Sequence, residues 1–199
     1  MMSVESFEQY PFFKPKEERT ILFMTRLWDY TARRDDVNEQ RKHINKTRIE
    51  AIKALKNEFG SAFYGGIFPN KMSEKYPDLI LSRFDTQKCN YIKRLRSSSI
   101  CIATTGLHNS IGWKMAEYVA ASKCIISESL QYNVAGNFIK GVNYLEYTDV
   151  ETLISSVHKL LDDDDLYFNM QISNYRYYNE YLRPDSLMLN LIAKVKNLI

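Results

Sequence analysis

The chain is predicted to fold as a single α/β domain, a doubly wound parallel sheet with helices on both faces. Three observations lead there. Short apolar runs recur along the chain, and amphipathic stretches with a period near 3.6 separate them. The 199 residues, 45% hydrophobic and 13% aromatic, are enough for one buried core. Runs that are apolar throughout, rather than alternating, are typical of strands buried on both faces of a parallel sheet, and such strands are joined by right-handed crossovers.

Residues 1–18 set Pro11 and Pro15 among aromatics and charges without a steady period, and read as a lead-in or linker. The domain is expected to occupy 19–199. Its first strand is 20–25 (TILFMT), apolar from Ile21 to Met24. From 38 to 60, Ile44, Ala51, Ile52, Leu55 and Phe59 recur at spacings of three, four and seven, which is one face of a helix, and Gly60 closes it. Strands are expected at 62–67, at 79–81 as a short third, and at 99–104, with a helix at 85–96 between the last two. A helix at 112–121, strands at 123–127 and 144–147, and helices to the end complete the alternation. The acidic run Asp162 to Asp165 lies between two helical patterns, where aspartates cap the following helix.

A formal charge of +3 argues against a nucleic-acid binder that works by neutralising phosphates. Cys89, Cys101 and Cys124 form no ligand spacing and no disulfide framework, which suits a reducing compartment. Glu5 and Glu8 stand where a secretory signal would be basic and then apolar. No run reaches the roughly 20 apolar residues of a membrane span, so a cytoplasmic location is expected, with any membrane contact peripheral. The one basic cluster is Arg33, Arg34, Arg41, Lys42, Lys46 and Arg48; it reads as a solvated face or as a contact for acidic phospholipids or phosphates at the inner membrane face.

In a doubly wound sheet, ligands bind beyond the carboxyl ends of the strands where strand order reverses, which directs attention to the loops after Thr25 and after Thr104. The second of these, 104–118 (TTGLHNSIGWKMAEY), carries a strand through a glycine-containing loop into a helix whose free N–H groups attract anions. Lys114 in the first turn opposes the helix dipole, so it fits a phosphate partner or an ordinary surface lysine. Glu117 is placed to accept from vicinal ribose hydroxyls, His108 stands in the loop itself, and Trp113 is expected to pack on the sheet. Arg26 ends the first strand, either as a phosphate ligand or as a solvated partner of Asp29. There is no G-x-G-x-x-G after the first strand, no G-x-x-x-x-G-K-[ST], and no Asp-x-Asp pair suited to a metal.

The segment 112–127 (GWKMAEYVAASKCIIS) resembles the glutamate-bearing helix and following strand of retaining GT-B glycosyltransferases, whose C-terminal half is a Rossmann-like nucleotide-sugar-binding domain. The family has a Glu-x7-Glu pair there. Glu117 matches the second glutamate, for which the resemblance implies ribose binding, while Asn109 stands in place of the first, which meets the donor sugar. Thr25-Arg26-Leu27 is similar to the family's G-R-L, implying that Arg26 binds the donor diphosphate; the companion lysine falls at Thr31, with Arg33 or Arg34 as substitutes. The close at 177–184 (YYNEYLRP) resembles polysaccharide-type members.

The resemblance implies a donor-binding domain without the family's acceptor domain. Arg26, Lys114 and the amides near Gly112 would hold the diphosphate, Glu117 the ribose, and His108 and Asn109 the sugar, with no metal and no cofactor beyond the nucleotide-sugar substrate. The activity implied is that of a hexosyltransferase in polysaccharide biosynthesis, incomplete on its own, with a glycan or lipid-linked acceptor. The last helix, apolar through Leu187, Leu191, Val195 and Leu198 on one face and Met188, Ile192 and Ile199 on another, suits an acceptor-domain partner or self-association. The alternative is an interaction module of the same fold that has lost donor binding.

Overall fold

The computed structural model of the protein describes residues 4–196. Five parallel strands form one sheet in the order β2-β1-β3-β4-β5: β1 Ile21–Thr25, β2 Phe63–Ile67, β3 Ile100–Ala103, β4 Cys124–Glu128 and β5 Leu145–Tyr147. The helices are α1 Asp35–Phe59, α2 Lys88–Ser97, α3 Trp113–Ala120, α4 Val150–Asp162, α5 Asp164–Tyr177 and α6 Pro184–Lys196, with a π-turn over Tyr178–Leu182. The chain steps from β1 outward to β2, then returns to the far side of β1 for β3, so strand order reverses between β1 and β3. That arrangement is the doubly wound fold expected.

The central strands are apolar over most of their length because their side chains alternate between two cores. Ile21, Phe23, Ile100, Ile102 and Ile126 meet Ile52 and Leu55 of α1 and Leu153 and Val157 of α4 on one face. Leu22, Met24, Cys101 and Ile125 meet Leu95 of α2 and Met115 and Val119 of α3 on the other. Gly60, at φ 48°, ends α1 in a conformation that costs a side chain dearly. Asp163 caps α5 by accepting from the Leu166 N–H at 2.8 Å, the role expected of the acidic run. Cys101 and Cys124 are buried free thiols.

The expected strand at 79–81 is not a strand. Pro77 opens a 3-10 turn over Pro77–Leu79, leaving one bridge, Ile67↔Ile80, and one hydrogen bond from the Leu81 N–H to the Ile67 carbonyl at 2.9 Å. The neighbouring helix starts at Lys88 rather than 85, because 82–87 forms turns closed by Ser82 and Asp85.

Residues 4–18 lie against the domain. Phe12 donates its N–H to Gln171, and Tyr178 donates its hydroxyl to Glu8. Arg19, 1% exposed, anchors this segment. It donates to the carbonyls of Lys14, Leu160 and Leu161, pairs with Asp164, and stacks on the Tyr167 ring at 3.9 Å.

At the other end α6 carries no buried residue; Leu187, Met188, Leu191, Ile192 and Val195 are all exposed, while Leu198 and Ile199 lie outside the described residues. Among the described residues, no helix is long and apolar enough to cross a membrane.

Replacing Arg19 with Met keeps much of its volume but leaves two α4 carbonyls without a donor. It is expected to lower the unfolding free energy by about 2–4 kcal/mol, as measured by urea denaturation. A loss within error would show that Arg19 is dispensable for the fold.

Candidate functional site

The reversal in strand order is accompanied by a gap. β1 pairs with β2 along its whole length, from Ile21↔Phe63 to Thr25↔Ile67, but with β3 only through Ile21↔Ile100 and Leu22↔Cys101. Beyond those residues the two strands diverge towards their carboxyl ends, and a cavity of about 300 Å³ opens there. Thr25, Arg26 and Phe68 line one side, Thr104, Gly112 and Lys114 another, and Arg48 and Ser127 also reach it.

Arg26, Lys114 and Gly112, expected at one anion site, are therefore brought together. Arg26 is exposed, its guanidinium 5.3 Å from the Phe68 ring centroid, and among the described residues it makes no ion pair with Asp29. Asp29 instead accepts the Thr31 N–H. Gly112, which lines the cavity, is the N-cap of α3 and gives the helix no side-chain cap.

The Lys114 ammonium lies over the rings of Tyr91 at 4.3 Å and Phe68 at 5.3 Å. Burial against these rings pulls its pKa from 10.5 down to about 8, an effect that the nearby Glu117 carboxylate opposes and Lys88 reinforces.

Glu117 lies outside the cavity, one turn further along α3. Its carboxylate accepts from Lys88 Nζ and from the Tyr91 hydroxyl, both at 2.6 Å. These partners fix its rotamer beside Lys114.

His108 and Asn109 sit in the left-handed region, at φ 56° and 58°. His108 is held by its backbone: its N–H donates to Gln40 and its carbonyl accepts the Tyr132 hydroxyl. Asn109 lines a second cavity of about 290 Å³ with Gln40, His43, Glu128, Gln131 and Tyr147, separate from the one that Lys114 lines. Glu128 holds that loop by accepting from both the N–H and the hydroxyl of Thr105.

Trp113 does not pack on the sheet. As the first residue of α3 it projects into solvent, 90% exposed.

The basic cluster read from sequence does not form one uniform face. Arg34 pairs with Asp36, Lys42 with Glu39 and Lys46 with Glu50. Arg41 donates to the Asp29 carbonyl.

Arg48 turns inward. It is 8% exposed and spans the gap, donating from Nε to Thr104 Oγ1 at 3.1 Å, from Nη1 to the Arg26 carbonyl at 2.8 Å and from Nη2 to the Thr105 carbonyl at 3.3 Å. Desolvation brings its pKa down to about 10, opposed by the charge on Glu128. The helical period carried a signal for this: Arg48 falls one turn before Ile52 and four residues after Ile44, on the face of α1 that meets the sheet.

This is the fold of the C-terminal domain of GT-B glycosyltransferases. Over 92% of its length the chain matches the whole of the C-terminal domain of a group 1 family glycosyl transferase, LpcC, from Francisella tularensis, with a TM-score of 0.57 and 13% identity. It also matches TarM (TM-score 0.59, 14% identity, 94% of this chain) and sucrose-phosphate synthase from Thermosynechococcus elongatus (TM-score 0.56, 11% identity, 99% of this chain). The chain spans 36% of the TarM chain and 51% of the synthase chain. No protein-family model and no curated protein matches the chain by sequence.

If burial sets the Lys114 pKa, its Cε resonance is expected to titrate near pH 8, identified by its absence in Lys114→Met. A midpoint near 10.5 would place the ammonium in water instead.

Proposed function

We propose that the chain is the donor-binding domain of a hexosyltransferase-type glycosyltransferase, moving a sugar from a nucleotide-sugar to a glycan or lipid-linked acceptor in polysaccharide biosynthesis. The observation that carries this reading is the convergence of Arg26, Lys114 and the uncapped start of α3 on one cavity at the β1/β3 reversal, with no carboxylate lining it among the described residues. Such a cavity favours an anion.

In this reading the diphosphate lies between Arg26 and Lys114, against the N–H groups after Gly112. Glu117, oriented by Lys88 and Tyr91, accepts from the ribose hydroxyls. The sugar extends along the 105–109 loop toward Asn109, with His108 at its outer side.

Transfer then depends on fixed positive charge that stabilises the leaving diphosphate while an acceptor hydroxyl attacks the anomeric carbon. The acceptor side is supplied by another domain or subunit, for which the exposed apolar face of α6 offers a surface. That same face favours a second reading, an interaction module that binds no donor.

Calorimetric titration with UDP, GDP and their sugar conjugates separates the two. Donor binding predicts saturable affinity that Glu117→Ala weakens by roughly tenfold or more. Absence of binding to every nucleotide would favour the interaction module.

The diphosphate affinity is also expected to depend on pH. An anion prefers the charged amine, and Lys114 in the free protein loses its proton through about pH 8, well below the usual 10.5. Affinity should therefore fall roughly five- to tenfold from pH 7.5 to pH 9, and Lys114→Met should flatten that dependence.

A further inference from the structure

Another cavity, of about 380 Å³, adjoins the one that Arg26 and Lys114 line, and the reading above leaves it unused. Ala116 and Val119 reach it from α3, Val134 and Phe138 from the loop after β4, and Tyr181 from the π-turn. Among the described residues no charged side chain lines it. The Tyr177 hydroxyl is already donated to the Ala135 carbonyl at 2.6 Å, and Trp113 and Tyr181 are the other lining side chains with an N or O atom.

Rigid contacts, not loose packing, keep this space open. Phe138 stacks on Tyr144 with ring planes 10° apart and meets Tyr177 at 4.8 Å between centroids, and Tyr177 meets Tyr181 at 5.5 Å. Gly136, at φ 78°, lies so close to Tyr181 that an added Cβ would sit 2.4 Å from the ring. These contacts tie the loop to the π-turn, and the loop cannot fold into the cavity without losing them. An apolar cavity of roughly 150 Å³ stays dry and takes benzene, so this one has room for a longer hydrocarbon.

The neighbourhood narrows the occupant further. Ile111, Gly112, Trp113, Met115 and Leu130 line both cavities, so a molecule in the apolar one has an end beside the cationic one. Trp113 is 90% exposed at that shared wall, an apolar ring with a polar edge of the kind suited to a boundary between hydrocarbon and water. A peptide segment would bring N–H and C=O groups for which these side chains offer few partners, whereas a hydrocarbon chain brings none.

We propose that this cavity takes the hydrocarbon chain of an amphiphile with a hydroxyl-bearing head, which makes the acceptor lipid-linked and not a free glycan. The acceptor role rests on the donor-site reading; the chain site rests on the cavity alone. The chain lies against Ala116 and Val134, the head stands at the shared wall beside Trp113, and the acceptor-binding partner meets the rest of the head.

The test is calorimetric titration with glucose and with hexyl, octyl and decyl glucoside below their micellar concentrations, and with UDP alongside. Each two-carbon extension should raise affinity roughly tenfold, and glucose should not bind measurably. Ala116→Phe fills the cavity and Val134→Glu puts a charge at its edge. Both positions lie outside the two cores and outside the cavity of Arg26 and Lys114, so thermal midpoints and UDP titrations should match the wild type. Affinity for decyl glucoside should fall at least about tenfold in each. Affinity that does not grow with chain length, or that both variants keep, would overturn the chain site even where UDP binds. No glucoside binding by a chain that sediments as a dimer would give the cavity to a second copy and overturn it as well. Chain-length dependence that the variants abolish, in a protein that binds no nucleotide, would uphold the chain site and overturn the donor reading.

Discussion

The separation of β1 from β3 is the feature on which the site depends. Parallel strands that stayed paired to their ends would close the sheet over with side chains, as β1 and β2 do. There the Gly65 position is so tight that an added Cβ would sit 2.3 Å from the Phe23 carbonyl. Between β1 and β3 the ladder stops after two pairs, and Arg48 reaches in from α1 to satisfy oxygens that the missing ladder leaves free. The same helix fixes the loop after β1 at a second place, where Asn45 exchanges hydrogen bonds in both directions with the Trp28 backbone. Opening and support thus come from one element.

The electrostatics follow from where the carboxylates went. Glu128 is committed to Thr105, and Glu117 to Lys88 and Tyr91. Arg26, Arg48 and Lys114 are left facing a partly desolvated space with no counter-charge among the described residues that line it, which is where a fixed charge acts over the shortest distance with least screening by water. The depressed Lys114 and Arg48 pKa values measure what that placement costs the free protein.

Five strands, their parallel arrangement and the two loops that flank the crevice were legible in the sequence, because an apolar run such as 21–24 has one stable environment, between two helical layers. The strand at 79–81 was misread for the same reason: Leu79 and Ile80 are apolar, but Pro77 commits the backbone to a turn before a ladder can form. Within the site, Arg26, Gly112 and Lys114 were legible because they belong to contiguous motifs at strand ends. Arg48 was not. It lies among charged neighbours on a long helix, and local charge does not distinguish the residue that turns inward from Lys46 or Lys42, which face water. Trp113 was misjudged because its size suggested burial, whereas its position, first in α3, directs it outward.

The Arg19 anchor has a consequence for the order in which the protein is assembled. Its partners Leu160, Leu161 and Asp164 lie 141 to 145 residues further along the chain. During synthesis the segment before β1 can meet α2 and α3 through Gln9 and Lys14, but Arg19 finds its partners only once α4 and α5 have been made, so its anchor is among the last contacts secured. Contacts of such long range demand loop closure before they repay it. A nascent chain halted before residue 160 would carry Arg19 without the two carbonyls and the carboxylate that pair with it.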